Sequence, residues 1–106
     1  MFLLIMALFT STSNTAHSMN PFFTDYETPF QIPPFEEIKM EHYKPGFEQG
    51  MKENLDEIND ITANTEAATF ENTIVALERT GETLDKVADV FFNLLSSNTN
   101  DQMDSL

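Results

Sequence analysis

The sequence predicts an all-α chain: an extended, proline-rich N-terminal strap followed by three packed helices at about 40–63, 70–80 and 82–97, part of a larger helical domain. Three observations predict it. Apolar residues recur every three or four positions from Tyr43 to Ile61 and again from Leu84 to Leu95, which is the stripe of a 3.6-residue helix. Alternation of the strand type is absent. Four of the five prolines crowd between Asn20 and Phe35, where proline fixes φ, removes a donor and turns its predecessor away from the α region.

Composition bounds the rest. The chain has 106 residues, 41% hydrophobic and 22% charged, ordinary for a folding chain and unlike a wholly disordered one. Its core would be thin, so the chain would be marginal alone and sound as part of something bigger. Eighteen acids against five Lys and Arg give a net charge of −13, which argues against a phosphate backbone or an anionic membrane surface as partner. The bland reading of such charge is solubility. With no cysteine, disulfides, thiolate catalysis and cysteine-based zinc sites are excluded.

Taken in order, Met1 to Phe9 is almost all apolar. It is too short to cross a bilayer, which takes about 20 residues, and fits the ~7–15-residue apolar core of a secretory signal. A polar stretch and Ala16-His17-Ser18 follow, with small residues where a cleavage site needs them. Residues 1–18 therefore read as a signal peptide cut after Ser18, and 19–106 as the helical domain. No Lys or Arg precedes the apolar run, and a frayed apolar N-terminus is the alternative. In the strap, Phe22, Phe23, Tyr26, Phe30, Ile32 and Phe35 are too many large apolar groups to leave in water. They are expected to lie along a helical surface and bury their rings.

The first helix carries Tyr43, Phe47, Met51, Leu55, Ile58 and Ile61 on one stripe. Pro45 is tolerated near its start. Gly46 and Gly50, one turn apart beside the stripe, would let another backbone approach closely. The opposite face, Glu48, Lys52, Glu53, Asp56, Glu57 and Asp60, reads as solvated. Thr62 to Thr69 is a polar break ending in a good N-cap. The second helix would turn Phe70, Ile74 and Leu77 inward, with Val75 a further candidate and Glu71 placed to suit the helix dipole. Gly81 falls where a left-handed C-cap belongs, although a single glycine leaves both a tight turn and a bent continuous helix open. The third helix has Leu84, Val87, Ala88, Phe91, Leu94 and Leu95 as its stripe. The cap-rich run from Asn98 predicts another helix near Asp101, too short to hold itself, as if the chain stopped where an element starts.

Little chemistry is written in these residues. The histidines are His17 and His42. Neither has a second His one turn away, so the HExxH zinc motif is absent, and His42 reads as a structural, exposed residue near a helix start. Ser–His and Cys–His nucleophilic pairs have no candidate. Glu53 and Glu57, one turn apart, lack the burial that would separate their pKa values. Asn98, Asn100, Gln102 and Asp104 alternate somewhat like a calcium loop but lack its glycine and terminal Glu.

The run PPFEEIKMEHYKPGFEQGMKENLDEI from Pro33 to Ile58 resembles the start of bacterial peptidyl-dipeptidases, of the thimet-oligopeptidase family of zinc metallopeptidases. Thr69-Phe70-Glu71-Asn72-Thr73-Ile74, then Leu77-Glu78-Arg79-Thr80-Gly81, is similar to that family's TFENTI…LERSG segment. Phe91 to Leu94 and Ser97 to Asp101 match its next landmark. The resemblance covers Asn20 to Leu106. It implies a hydrolase, a zinc-dependent metalloprotease releasing dipeptides from the C-termini of short peptides, whose HExxH helix and downstream glutamate hold the zinc. None of those residues occurs here, so no catalytic, cofactor-binding or metal-binding role falls on any position. The chain would be an N-terminal fragment, inactive alone, forming one wall or lid of a peptide channel. The full protein would be a monomer, without nucleic acid or stable membrane association, and periplasmic if residues 1–18 are a signal, cytoplasmic if not. The alternative is a free-standing acidic helical module for peptide or partner binding.

Overall fold

The computed structural model describes residues 19–106; the expected signal peptide and His17 lie outside them. Among the described residues the chain is helical and holds no strand. After short 3-10 turns at Pro21–Phe23 and Pro29–Gln31 come α1 (Met40–Ala63), α2 (π-helical over Phe70–Val75, α-helical over Ala76–Glu78), α3 (Glu82–Ser97) and α4 (Asp101–Asp104). The all-α expectation, with its strap and three helices, holds.

The local reasons are visible in the caps. At the start of α2, Thr69 Oγ1 accepts from the Asn72 N–H at 3.1 Å, and the Thr69 N–H donates back to Asn72 Oδ1 at 2.8 Å. This reciprocal pair satisfies two donors a helix start leaves open. Gly81 sits at φ 82°, a left-handed conformation glycine adopts without penalty. It settles the open alternative: a tight turn separates α2 from α3. Asn100 Oδ1 accepts from the N–H groups of Gln102 and Met103 and so starts α4. That one-turn helix is held by Met103, 4% exposed in the core.

α1 and α3 run antiparallel. A Cβ added at Gly46 would stand 2.9 Å from Val87 Cγ2, one at Gly50 2.7 Å from Leu84 Cα, and one at Gly81 3.3 Å from Asn54 Oδ1. Position rises along one helix as it falls along the other. The two α1 glycines therefore do what their spacing predicts and let α3 come into backbone contact. Around that seam Phe22, Tyr43, Val87, Val90, Phe91 and Met103 form the core. Ring centroids lie 5.7 Å apart for Phe22–Tyr43, 5.2 Å for Tyr43–Phe91 and 5.4 Å for Phe47–Phe91, within the separations that tilted and edge-to-face aromatic pairs favour.

Three expectations need correction. Of its six large apolar groups the strap buries one: Phe22 is fully enclosed and Tyr26 half-buried, whereas Phe23, Phe30, Ile32 and Phe35 are exposed. The cause is that only the first turn is pinned to α1, by Asn20, whose Nδ2 donates to the His42 carbonyl at 2.9 Å while its Oδ1 caps Phe22. Phe30 and Gln31 then turn through positive φ and leave Phe30 in solvent. The second helix does not turn Phe70, Ile74 and Leu77 inward; all three are exposed. On α1, Met51 and Leu55 are likewise exposed, because the face that meets α3 is the glycine face and not the centre of the apolar stripe.

Candidate functional site

Three places in the fold could carry chemistry or recognition: the acidic face of α1, His42, and an apolar groove between α1, α3 and the end of α4.

The acidic face is less solvated than its sequence implies. Glu57 is half-buried, and its Oε2 accepts from the Gly81 N–H at 2.7 Å, tying α1 to the turn before α3. Hydrogen bonds from Thr83 and then Gln49 hold the Glu53 carboxyl below the usual range. The two acids are thus joined to the scaffold, each by its own partner, and do not form a proton-sharing pair with separated pKa values. Across the strap, Lys86 Nζ lies 5.4 Å from the centre of the Tyr26 ring, 3.2 Å from Glu82 and 3.8 Å from Asp25. Burial, and after it the Asp89 charge, pushes the Tyr26 phenol above its ordinary value. This cluster clamps the strap onto α3.

His42 is buried, not exposed as its sequence position implies, and its role is structural. Its Nδ1 accepts from the Lys39 N–H at 2.9 Å, which places the ring proton on Nε2 and caps the start of α1. The missed signal was its position in the first turn, where a side-chain acceptor can satisfy an open backbone donor. The calcium-like run after Ser97 is also spent on capping: Asn100 starts α4, and the Thr99 hydroxyl donates to Asp104 Oδ1 at 2.6 Å. Among the described residues no group of three His, Cys, Asp or Glu is placed to hold a metal ion. With His42 Nδ1 engaged and cysteine absent, these residues do not fit a zinc ion.

The groove is the remaining candidate. Phe47, Met51, Phe91 and Phe92 line it, Ser105 and Leu106 form one end, and Lys44 and Glu48 stand at its rim; it encloses about 550 Å³. Phe92 is 58% exposed and Met51 54%, although Phe92 packs edge-on to Phe91 at 5.3 Å. Sequence periodicity identified Phe47, Met51 and Phe91 as stripe residues. It could not reveal that α4 would bring Leu106 beside them. An arrangement of this kind presents apolar surface. No described helix is long and apolar enough to cross a membrane.

No family model matches the chain. Over 89 residues, 84% of its length, it is 40% identical to the dipeptidyl carboxypeptidase of Escherichia coli and 38% identical to that of Salmonella typhimurium. The chain spans 13% of the length of each of these relatives.

Proposed function

We propose that this chain, a relative of the dipeptidyl carboxypeptidases over 84% of its length, is the N-terminal helical portion of a zinc-dependent peptidyl-dipeptidase. That enzyme releases dipeptides from the C-termini of short peptides. The observation that carries the proposal is the kinship itself, at 40% identity. The chain's part is scaffold and channel wall, and by itself it is inactive. Two features of the fold support that division. The described residues bring no three metal-binding side chains together, so zinc and the groups that polarise water on it would come from elsewhere in the enzyme. Glu53, Glu57 and the Nδ1 of His42 are engaged in capping and scaffold hydrogen bonds.

The accessible channel would account for the preference for short peptides, since a folded protein cannot present an extended C-terminus inside a wall of rigid helices. Read with the apolar run at Met1 to Phe9 as a signal, the enzyme works in the periplasm; otherwise it works in the cytoplasm. The purified chain, assayed for bound zinc and for dipeptide release from the C-terminus of a synthetic hexapeptide, is expected to hold no stoichiometric zinc and to release nothing. Zinc-dependent release by the chain alone would overturn the scaffold reading.

A further inference from the structure

His42 is 7% exposed, and only one of its ring nitrogens has a partner. Nδ1 accepts from the Lys39 N–H. Nε2, which then carries the proton, is buried with no hydrogen-bond partner. The cap on α1 thus depends on the Nδ1 lone pair. A second proton would go to Nδ1 and make it a donor, facing the donor it now satisfies. Turning the ring over restores nothing, because both nitrogens of a charged imidazole donate. The charged ring would also be poorly compensated. Among the described residues the carboxylate in its reach is Glu41, with Oε1 3.9 Å from Nε2 on a side chain 74% exposed, where water and salt weaken the attraction. Opposite, α3 runs antiparallel with Leu84 at Gly50 and Val87 at Gly46, so Val90 and Phe91, both buried, fall nearest His42 in register. The ionisable groups of α3 and the strap near this level keep to one another: Lys86 to Asp25 and the Tyr26 ring, Asp89 to the Tyr26 phenol. From α4 comes Met103, while Asp101 and Asp104 are exposed. Burial holds the phenol proton of Tyr43 above its ordinary value, so that neighbour stays neutral.

The same turn of α1 holds the strap. The His42 carbonyl accepts from Asn20 Nδ2, and Asn20 Oδ1 accepts from the Phe22 N–H. Phe22 then packs one turn further on, over Gly46. We propose that His42 is an acid-operated latch on the strap. Protonation at Nδ1 abolishes the cap on Lys39, drives the ring into water and frays the first turn of α1. The Asn20–Phe22 turn is released with it, while the contact of Gly50 with Leu84 stays closed. The open state binds one more proton than the closed one, so acid favours it. Imidazole is the side chain that changes charge between about pH 5 and 8. The latch stands apart from the enzymatic reading, and its test measures no activity.

That test is amide exchange read residue by residue by NMR, in the 106-residue chain carrying His17→Ala so that His42 is its single imidazole. Protection factors, from which the intrinsic pH dependence of exchange is removed, are compared at about pH 7.5 and about pH 5.5, both above the ordinary carboxylate range. At the lower pH the Phe22 and Lys39 amides are expected to lose protection by about tenfold or more, as in a local opening, while those of Val87 to Phe91 keep theirs. His42→Gln puts an acceptor that never titrates at the third helical position, where Gln serves as a cap, and is expected to abolish the difference. Should that variant not fold, the parent still decides: the loss at Lys39 must share its midpoint with the titration of the His42 ring, followed in the same spectra. Unchanged protection at Phe22 and Lys39, equal loss throughout α3, a midpoint apart from that of His42, or a pH response kept by His42→Gln would each overturn the proposal.

Discussion

Up to Gly50, α1 buries Tyr43, Gly46 and Gly50 against α3 and Phe22; beyond it, Met51 and Leu55 stand 54% and 59% exposed. Both stretches carry the same apolar repeat. The difference is what faces them. Where glycine replaces a side chain, α3 approaches to backbone contact and the flanking rings of Tyr43, Phe47 and Phe91 close over the seam. Met51 and Leu55 lie off the glycine face that meets α3; the turn residue Gly81, just before α3, lies opposite Asn54 and Glu57, and α2 turns its own Phe70, Ile74 and Leu77 outward. Met51 and Leu55 therefore form a surface and the residues before them a core, built from one periodicity.

The contrast can be broken most forcefully at its ring cluster. Phe91→Ala removes a ring that touches Tyr43, Phe47 and Phe92 and is expected to cost about 3–5 kcal/mol in urea unfolding, enough to unfold a marginal small domain. A loss below about 1 kcal/mol would mean that the seam is not the core. Gly50→Ala comes next. Its Cβ would meet the Leu84 backbone at 2.7 Å, and overpacking of about 1–3 kcal/mol outweighs the ~1 kcal/mol that alanine gains in a helix. Stabilisation by this substitution would contradict the close approach.

A subtler loss should appear in alkali. Burial raises the phenol of Tyr26, as it does that of Tyr43, so the folded chain holds those protons more tightly than the unfolded one. Their contribution to stability is complete below the ordinary tyrosine value of 10.0 and fades as pH rises above it. Tyr26→Phe is expected to shrink that alkaline fall while changing little at neutral pH, because the Tyr26 hydroxyl has no hydrogen-bond partner to lose. An unchanged pH profile would place the strap off α3. The smallest effect belongs to the exposed stretch: Leu55→Gln should shift stability by no more than about 0.5 kcal/mol, measured by the same denaturation.

What the sequence made legible follows the same division. Helix bounds at 40–63 and 82–97 came from periodicity and caps, and Gly81 and the cap-rich run from Asn98 marked their turns. That Asn100 is the residue of that run that caps α4 was seen only in the structure. Gly46 and Gly50 announced a close approach. Which apolar residues would find partners was not legible, since Leu55 and Phe47 look alike until the facing helix is placed. Nor was the burial of His42 or the bond from Gly81 to Glu57, both of which depend on an element distant in sequence or on one backbone donor. The groove needed α4, a single turn too short to be trusted from its residues alone.

The claim at the centre is that these helices serve a peptidase whose reactive groups lie elsewhere. It is tested most directly by replacing the matched stretch of the Escherichia coli dipeptidyl carboxypeptidase with residues 20–106 of this chain and measuring release of C-terminal dipeptides. The chimera is expected to unfold cooperatively and to keep its activity. A cooperatively folded chimera that releases no dipeptide would contradict the account.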